Sequence, residues 1–150
     1  MIDIRKIPDW WPLCQNEKCE LAEICLRQQA CRQMPLDIPR WSCVLPHAQK
    51  GKDCKYFQKY EKVMIARGLN NIYNNVHMRY AKSAIRQTLT AELGSKGTYY
   101  RYKDGERPIG PALRKKIIDI VHRFEPEAEV HFDEEFEDYD YTNVVPWREE

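Results

Sequence analysis

Apolar residues recur at helical spacing in several stretches of the chain. Leu21, Ile24, Cys25 and Leu26 predict a short helix within 20–30. Val63, Met64, Ala66, Leu69, Ile72 and Tyr73 predict a second over 60–75. Met78, Ala81, Ala84, Ile85, Thr88, Leu89 and Leu93 form one stripe over 77–93, and Gly94 follows as a C-cap. Pro111 suits a first-turn position and opens a further helix over 111–124. That helix points Leu113, Ile117, Ile120, Val121 and Phe124 inward and Arg114, Lys115 and Lys116 outward. Before residue 57 the pattern is broken by Pro8, Pro12, Pro35, Pro39 and Pro46, which favour turns and short pieces. The expected fold is therefore mainly α, with α+β possible. It has an irregular cysteine-rich lobe over 1–57, a basic three- to four-helix lobe over 58–124 and an acidic aromatic tail over 125–150.

Charge sharpens this division. The 150 residues carry a net charge of only +1. Residues 55–124 hold 15 basic and 5 acidic side chains, whereas residues 125–150 hold 1 basic and 11 acidic. Fields act locally and are screened over about 8–10 Å, so the average hides a strongly basic block that suits an anionic partner. The adjacent acidic block competes for the same face. No apolar run approaches the roughly 20 residues needed to span a bilayer. The N-terminus lacks the apolar stretch of an export signal, so the expectation is a cytoplasmic protein that does not enter a membrane.

All six cysteines lie in the first 54 residues, at 14, 19, 25, 31, 43 and 54. A segment this poor in aliphatic residues needs a staple. Disulfides belong to exported chains, so a metal is the better expectation. Zinc takes four thiolates in a tetrahedron, and Cys14, Cys19, Cys25 and Cys54 are the first choice of ligands. Cys54 follows the turn-forming Gly51-Lys52-Asp53, and Lys18 and Lys52 are at hand to offset thiolate charge. Cys43 or His47 is an alternative ligand. The cysteines are more widely spaced than finger pairs, and an iron–sulfur cluster or disulfides remain open. Cys31 and Cys43 read as small buried hydrophobes. A nucleophilic cysteine needs a base such as His47, His77, His122 or His131, and nothing in the spacing pairs one with a thiol.

Residues 91–108 admit two structures. Thr98-Tyr99-Tyr100-Arg101-Tyr102 is rich in strand formers, and Asp104-Gly105 is a strong hairpin signal, so a β-hairpin over 98–109 is one reading. The other starts from Leu93-Gly94-Ser95 and Arg101-Tyr102-Lys103-Asp104-Gly105-Glu106-Arg107. In this order they resemble the helix-turn-helix of phage-repressor-like DNA-binding domains, over residues 86–120. The turn after Gly94 is one residue short for that family. Gly97 weakens a recognition helix by about 1 kcal/mol relative to Ala. The resemblance implies that Ser95, Lys96, Tyr100 and Arg101 face the major groove, with Thr98, Tyr99 and Tyr102 packed inward. It also implies guanine readout by Arg101 and phosphate contacts from Lys103, Arg107, Arg114 and Lys115.

The tail alternates acids with rings: Phe132, Phe136, Tyr139, Tyr141 and Trp147 stand among eight acidic residues over 133–150. Like charges at this density disfavour a free compact structure, while rings among carboxylates suit a docking peptide over 130–147. Its target is either the chain's own basic face or a protein partner.

Across the whole chain, Cys14, Cys19, Cys25, Asp53-Cys54, Thr98-Tyr99-Tyr100-Arg101, Gly105-Glu106-Arg107 and Phe132-Asp133-Glu134 resemble a family of uncharacterised bacterial proteins. That likeness implies no activity, but it groups the same four cysteines. The expected function is a small non-enzymatic DNA-binding or regulatory protein with a structural zinc site. The alternatives are an interaction or scaffold protein docking through its acidic tail, and a redox protein built on the cysteines.

Overall fold

A computed structural model describes residues 1–49 and 52–145. Gly51 and Trp147, named above, lie outside the described residues. Contacts divide the chain into two compact units: Met1–Lys62 with the chain from Asn143, and Val63–Thr142. The boundaries between these units fall at 62/63 and 142/143. The fold is mixed α and β: four helices and two small two-stranded sheets are present among the described residues, so the mainly α expectation holds only loosely.

The first unit is built from short pieces, as its prolines require. Strands β1 (Leu13–Cys14) and β2 (Cys43–Val44) pair in parallel. The single helix predicted over 20–30 is broken in two. A 3-10 turn spans Ala22–Ile24, Cys25 is extended at φ −97° and ψ 121°, and helix α1 runs Leu26–Arg32. The break has a tertiary cause: Cys25 bridges Lys59, with Leu26 N donating to Gln58 O (2.6 Å) and Tyr60 N to Ile24 O (2.8 Å). Trp11, Leu13, Leu26 and Ala30 are buried at the centre of this unit.

In the second unit the helix expected over 60–75 does not form. Val63–Arg67 is strand β3, and only Asn71–Tyr73 makes a 3-10 turn. β3 pairs antiparallel with strand β4 (Glu134–Asp138), with Ile65 opposite Phe136. Its other edge is bridged by Ile109, whose N–H and C=O both bond to Ala66 (2.7 and 3.0 Å). Gly68, at φ +81°, turns the chain out of the strand. The acidic segment is therefore an integral strand and not a free tail. Phe132 and Tyr141, which flank β4, are buried; within it Phe136 is half-buried, while Glu134, Glu135 and Glu137 are exposed.

Three helices complete this unit: α2 (Arg79–Glu92), α3 (Lys96–Lys103) and α4 (Pro111–Phe124). α2 packs on both α3 and α4. Ala81, Ile85 and Leu89 of α2, Tyr99 of α3, and Ile117, Ile120 and Val121 of α4 meet Ala66, Leu69, Ile109 and Phe132 in one core.

Candidate metal centre and basic helical face

Residues 96–103 are helix, which overturns the β-hairpin over 98–109. Gly94, at φ +95°, ends α2, and the extended Ser95 caps α3, its Oγ accepting from Thr98 N at 3.1 Å. Asp104-Gly105, which resembled a hairpin turn, stops α3 instead. Gly105 takes φ +79°, and the Asp104 and Gly105 amides donate to Tyr100 O (2.8 Å) and Tyr102 O (3.1 Å). The return segment does become extended, but it bridges β3 and not residues 98–102.

α3 presents two different faces. Tyr99 is 1% exposed, its hydroxyl 2.7 Å from that of Tyr73, and Tyr102 packs partly against the same core. Burial, first, raises the pKa of both Tyr73 and Tyr99 above the ordinary phenol value. Ser95, Lys96, Tyr100 and Arg101 are exposed, as are Arg107 and Lys115; Lys103 and Arg114 are half-buried. The Lys103 ammonium lies 5.7 Å from the Tyr100 ring centre, and the Arg107 guanidinium 5.9 Å from that of Tyr102. Arg114 is engaged otherwise: it pairs with Glu135 of β4 at 2.8 Å and lies 5.5 Å from the Phe132 ring centre. Lys116 pairs with Glu92 at 2.8 Å, which holds the Glu92 carboxyl below its usual range.

In the first unit, four of the six cysteines line one cavity of about 20 Å³: Cys14 from β1, Cys19, Cys25 from the break before α1, and Cys54. That is room for about one water-sized particle. All six cysteines are free. The sulfurs are not drawn into a closed shell: among the described residues no three His, Cys, Asp or Glu side chains stand together as a metal-holding group. Burial, first, pushes the Cys14 thiol up; an N–H bond from the Asn16 backbone lowers it, and its neighbours Cys25, Cys19 and Cys54 raise it. Leu21 N–H donates to Cys19 Sγ at 3.4 Å.

Two further residues of this cavity lacked a sequence signal. Arg27 is 1% exposed and Gln28 2% exposed, although side chains of these types ordinarily face water. Arg27 donates to the Tyr56 and Pro12 carbonyls, each at 2.7 Å, and stacks 4.1 Å from the Trp11 ring centre. Desolvation lowers its pKa to about 10, opposed by Cys25, Cys54, Tyr56 and Cys14. Gln28 Oε1 is buried with no hydrogen-bond partner. Lys18 and Lys52, expected to offset thiolate charge, are exposed. Cys43 is exposed and Cys31 half-buried, so neither is the buried hydrophobe expected of it. Cys43 and His47 line a neighbouring groove of about 860 Å³, not the four-cysteine cavity. His122 donates Nε2–H to Ala128 O at 2.8 Å, while His77 and His131 are exposed.

These features define a small two-unit α and β protein with a cysteine-lined cavity in one unit and a basic pair of helices joined by a tight turn in the other. The chain belongs to the Family of unknown function (DUF6078), whose family model matches residues 1–141. No curated protein and no solved structure matches it. No helix among the described residues is long and apolar enough to cross a membrane.

Proposed function

We propose that the chain is a small non-enzymatic protein that binds duplex DNA through α3, its N-terminal unit stapled by one zinc ion on Cys14, Cys19, Cys25 and Cys54. The observation that carries the DNA reading is the division of α3. Tyr99 anchors it in the core, while Ser95, Lys96, Tyr100 and Arg101 stand together on the open side. Such a helix, set after a three-residue turn, offers its N-terminal side chains to a major groove, with Arg101 suited to guanine O6 and N7. Lys103, Arg107 and Lys115 then serve phosphates, and Arg114 does so when Glu135 releases it.

Zinc is supported by the meeting of four cysteines distant in sequence on one cavity. Its volume of about 20 Å³ favours a single ion over an iron–sulfur cluster. The rival docking role for 130–147 is weakened because Phe132 and Tyr141 are buried in the fold.

Fluorescence anisotropy on random duplex DNA tests the first part. Affinity is expected to fall steeply between 50 and 200 mM salt, by about tenfold or more for several phosphate contacts. No binding at low salt ends the DNA reading. Elemental analysis of protein purified under reducing conditions tests the second, with about one zinc per chain expected.

A further inference from the structure

A cation buried among neutral groups is costly unless an opposite charge stands near it. Arg27 is buried, and its two hydrogen bonds end on the uncharged carbonyls of Tyr56 and Pro12. The Trp11 ring under its guanidinium carries no net charge. Its side chain lines the same cavity as all four cysteines, and so does Gln28, whose Oε1 has no partner. The Leu21 backbone N–H already donates to the Cys19 sulfur at 3.4 Å, a donor placed as a thiolate requires. Neutral thiols leave the Arg27 charge without an opposite charge beside it. Thiolates supply one, and they can accept an N–H from Gln28 once its NH₂ rather than its carbonyl faces them.

Resting on the zinc reading above, we propose that Arg27 is the built-in counter-ion of a divalent metal held by four thiolates, with the Gln28 amide as an N–H···S donor to them. Four thiols release four protons as one M²⁺ binds, giving a complex of charge −2. Arg27 stays protonated and brings the buried charge to −1. Gln28 turns its NH₂ toward the sulfurs, which leaves its carbonyl free to face away from them. Groups that touch metal ligands in this way tune affinity by about 10–100-fold.

The experiment is a competition titration of the full-length protein with Zn²⁺, and with Co²⁺ for its thiolate absorption, under reducing conditions. Arg27→Met keeps the length and removes the charge; Arg27→Lys keeps the charge. Arg27→Met is expected to weaken zinc binding by about 10–100-fold, and Arg27→Lys by far less. A second signature is a reversal of sign: Arg27→Met lowers the melting temperature of the zinc-loaded protein but raises that of the metal-free protein, where it removes an unbalanced charge. Gln28→Glu sets a carboxylate beside the sulfurs at nearly constant volume and is expected to weaken zinc by about tenfold or more. It serves if Arg27→Met does not fold. Unchanged affinity in Arg27→Met or Gln28→Glu, or equal losses in Arg27→Met and Arg27→Lys, overturns the counter-ion role while zinc binding stands. Wild-type protein that takes neither ion overturns the metal reading itself.

Discussion

Arg114 of α4 and Glu135 of β4 are locked together: Nη2 and Nε of the guanidinium lie 2.8 and 3.0 Å from one carboxylate oxygen. The acidic strand thus holds one of the cations assigned to phosphate. Both side chains are about a third exposed (35% and 37%), so the pair contributes well under about 1 kcal/mol to folding. Glu135→Gln is therefore expected to leave the melting temperature almost unchanged. It should tighten DNA binding and steepen the dependence of log affinity on log salt by about one. Anisotropy titrations at several NaCl concentrations measure this. An unchanged slope removes Arg114 from the interface.

The two faces of α3 predict two separable phenotypes. Arg101→Ala and Lys96→Ala, on the exposed face, should fold as the parent does, within about 0.5 kcal/mol. Both should weaken DNA binding, and Arg101→Ala should also relax discrimination between sequences by about 1–3 kcal/mol. Tyr99→Ala removes a ring that is 1% exposed and should cost about 3–5 kcal/mol of stability. Denaturant melts combined with binding curves separate the classes. Equal destabilisation by Arg101→Ala and Tyr99→Ala would contradict the division.

How far each element was legible follows from where its signals lie. α2, the turn, α3 and α4 carry their own punctuation: Gly94, Ser95 and Pro111 act within a few residues of themselves. β3 carries none. Val63, Met64, Ala66, Leu69 and Ile72 fit a helical period, and only pairing with Phe136 and its neighbours far along the chain makes a strand of them. The helix break at Cys25 likewise depends on Gln58, Lys59 and Tyr60. Of the candidate ligands, the four chosen cysteines do share one cavity, because the turn-rich chain folds back on itself there. Arg27 escaped notice because a charged residue in a short helix ordinarily faces water; only the packing of Trp11 and Tyr56 around it reverses that.

The Tyr73–Tyr99 hydroxyl pair, one ring half-buried and the other buried, predicts a limit to stability at high pH. Burial, first, raises both pKa values above the ordinary 10.0. A group whose pKa is raised on folding favours the native state most at low pH, where both states are protonated alike. That contribution is lost as pH rises past about 10, where the unfolded chain ionises and the folded one does not. Unfolding free energy should therefore decline above pH 10, and absorbance near 295 nm should show two tyrosines titrating only with unfolding. Tyr73→Phe combined with Tyr99→Phe should flatten the decline. If the two phenols ionise in the native protein, they are not sealed in the core.

Asp133 is the latch that joins the segment before β4 to the turn after β3. Its carboxylate accepts from Asn70 N (3.2 Å), Asn70 Nδ2 (2.7 Å) and Asn71 N (2.7 Å). Gly68 lies directly against it: a Cβ there would run into the Asp133 carboxylate, and its φ of +81° is unfavourable for any side chain. Gly68→Ala should then destabilise by more than about 1 kcal/mol, where an unstrained Gly→Ala replacement would stabilise, because two penalties act together. Asp133→Ala removes a charged acceptor from two backbone amides and should cost about 1–3 kcal/mol. Since one atom group answers both changes, the penalties should not add. In Asp133→Ala the carboxylate is gone but the Cβ of residue 133, 2.6 Å from a Cβ at 68, stays, so a further Gly68→Ala should cost less than it does in the parent. A double-mutant cycle from urea melts measures that coupling, and strict additivity would show that Gly68 and Asp133 act apart.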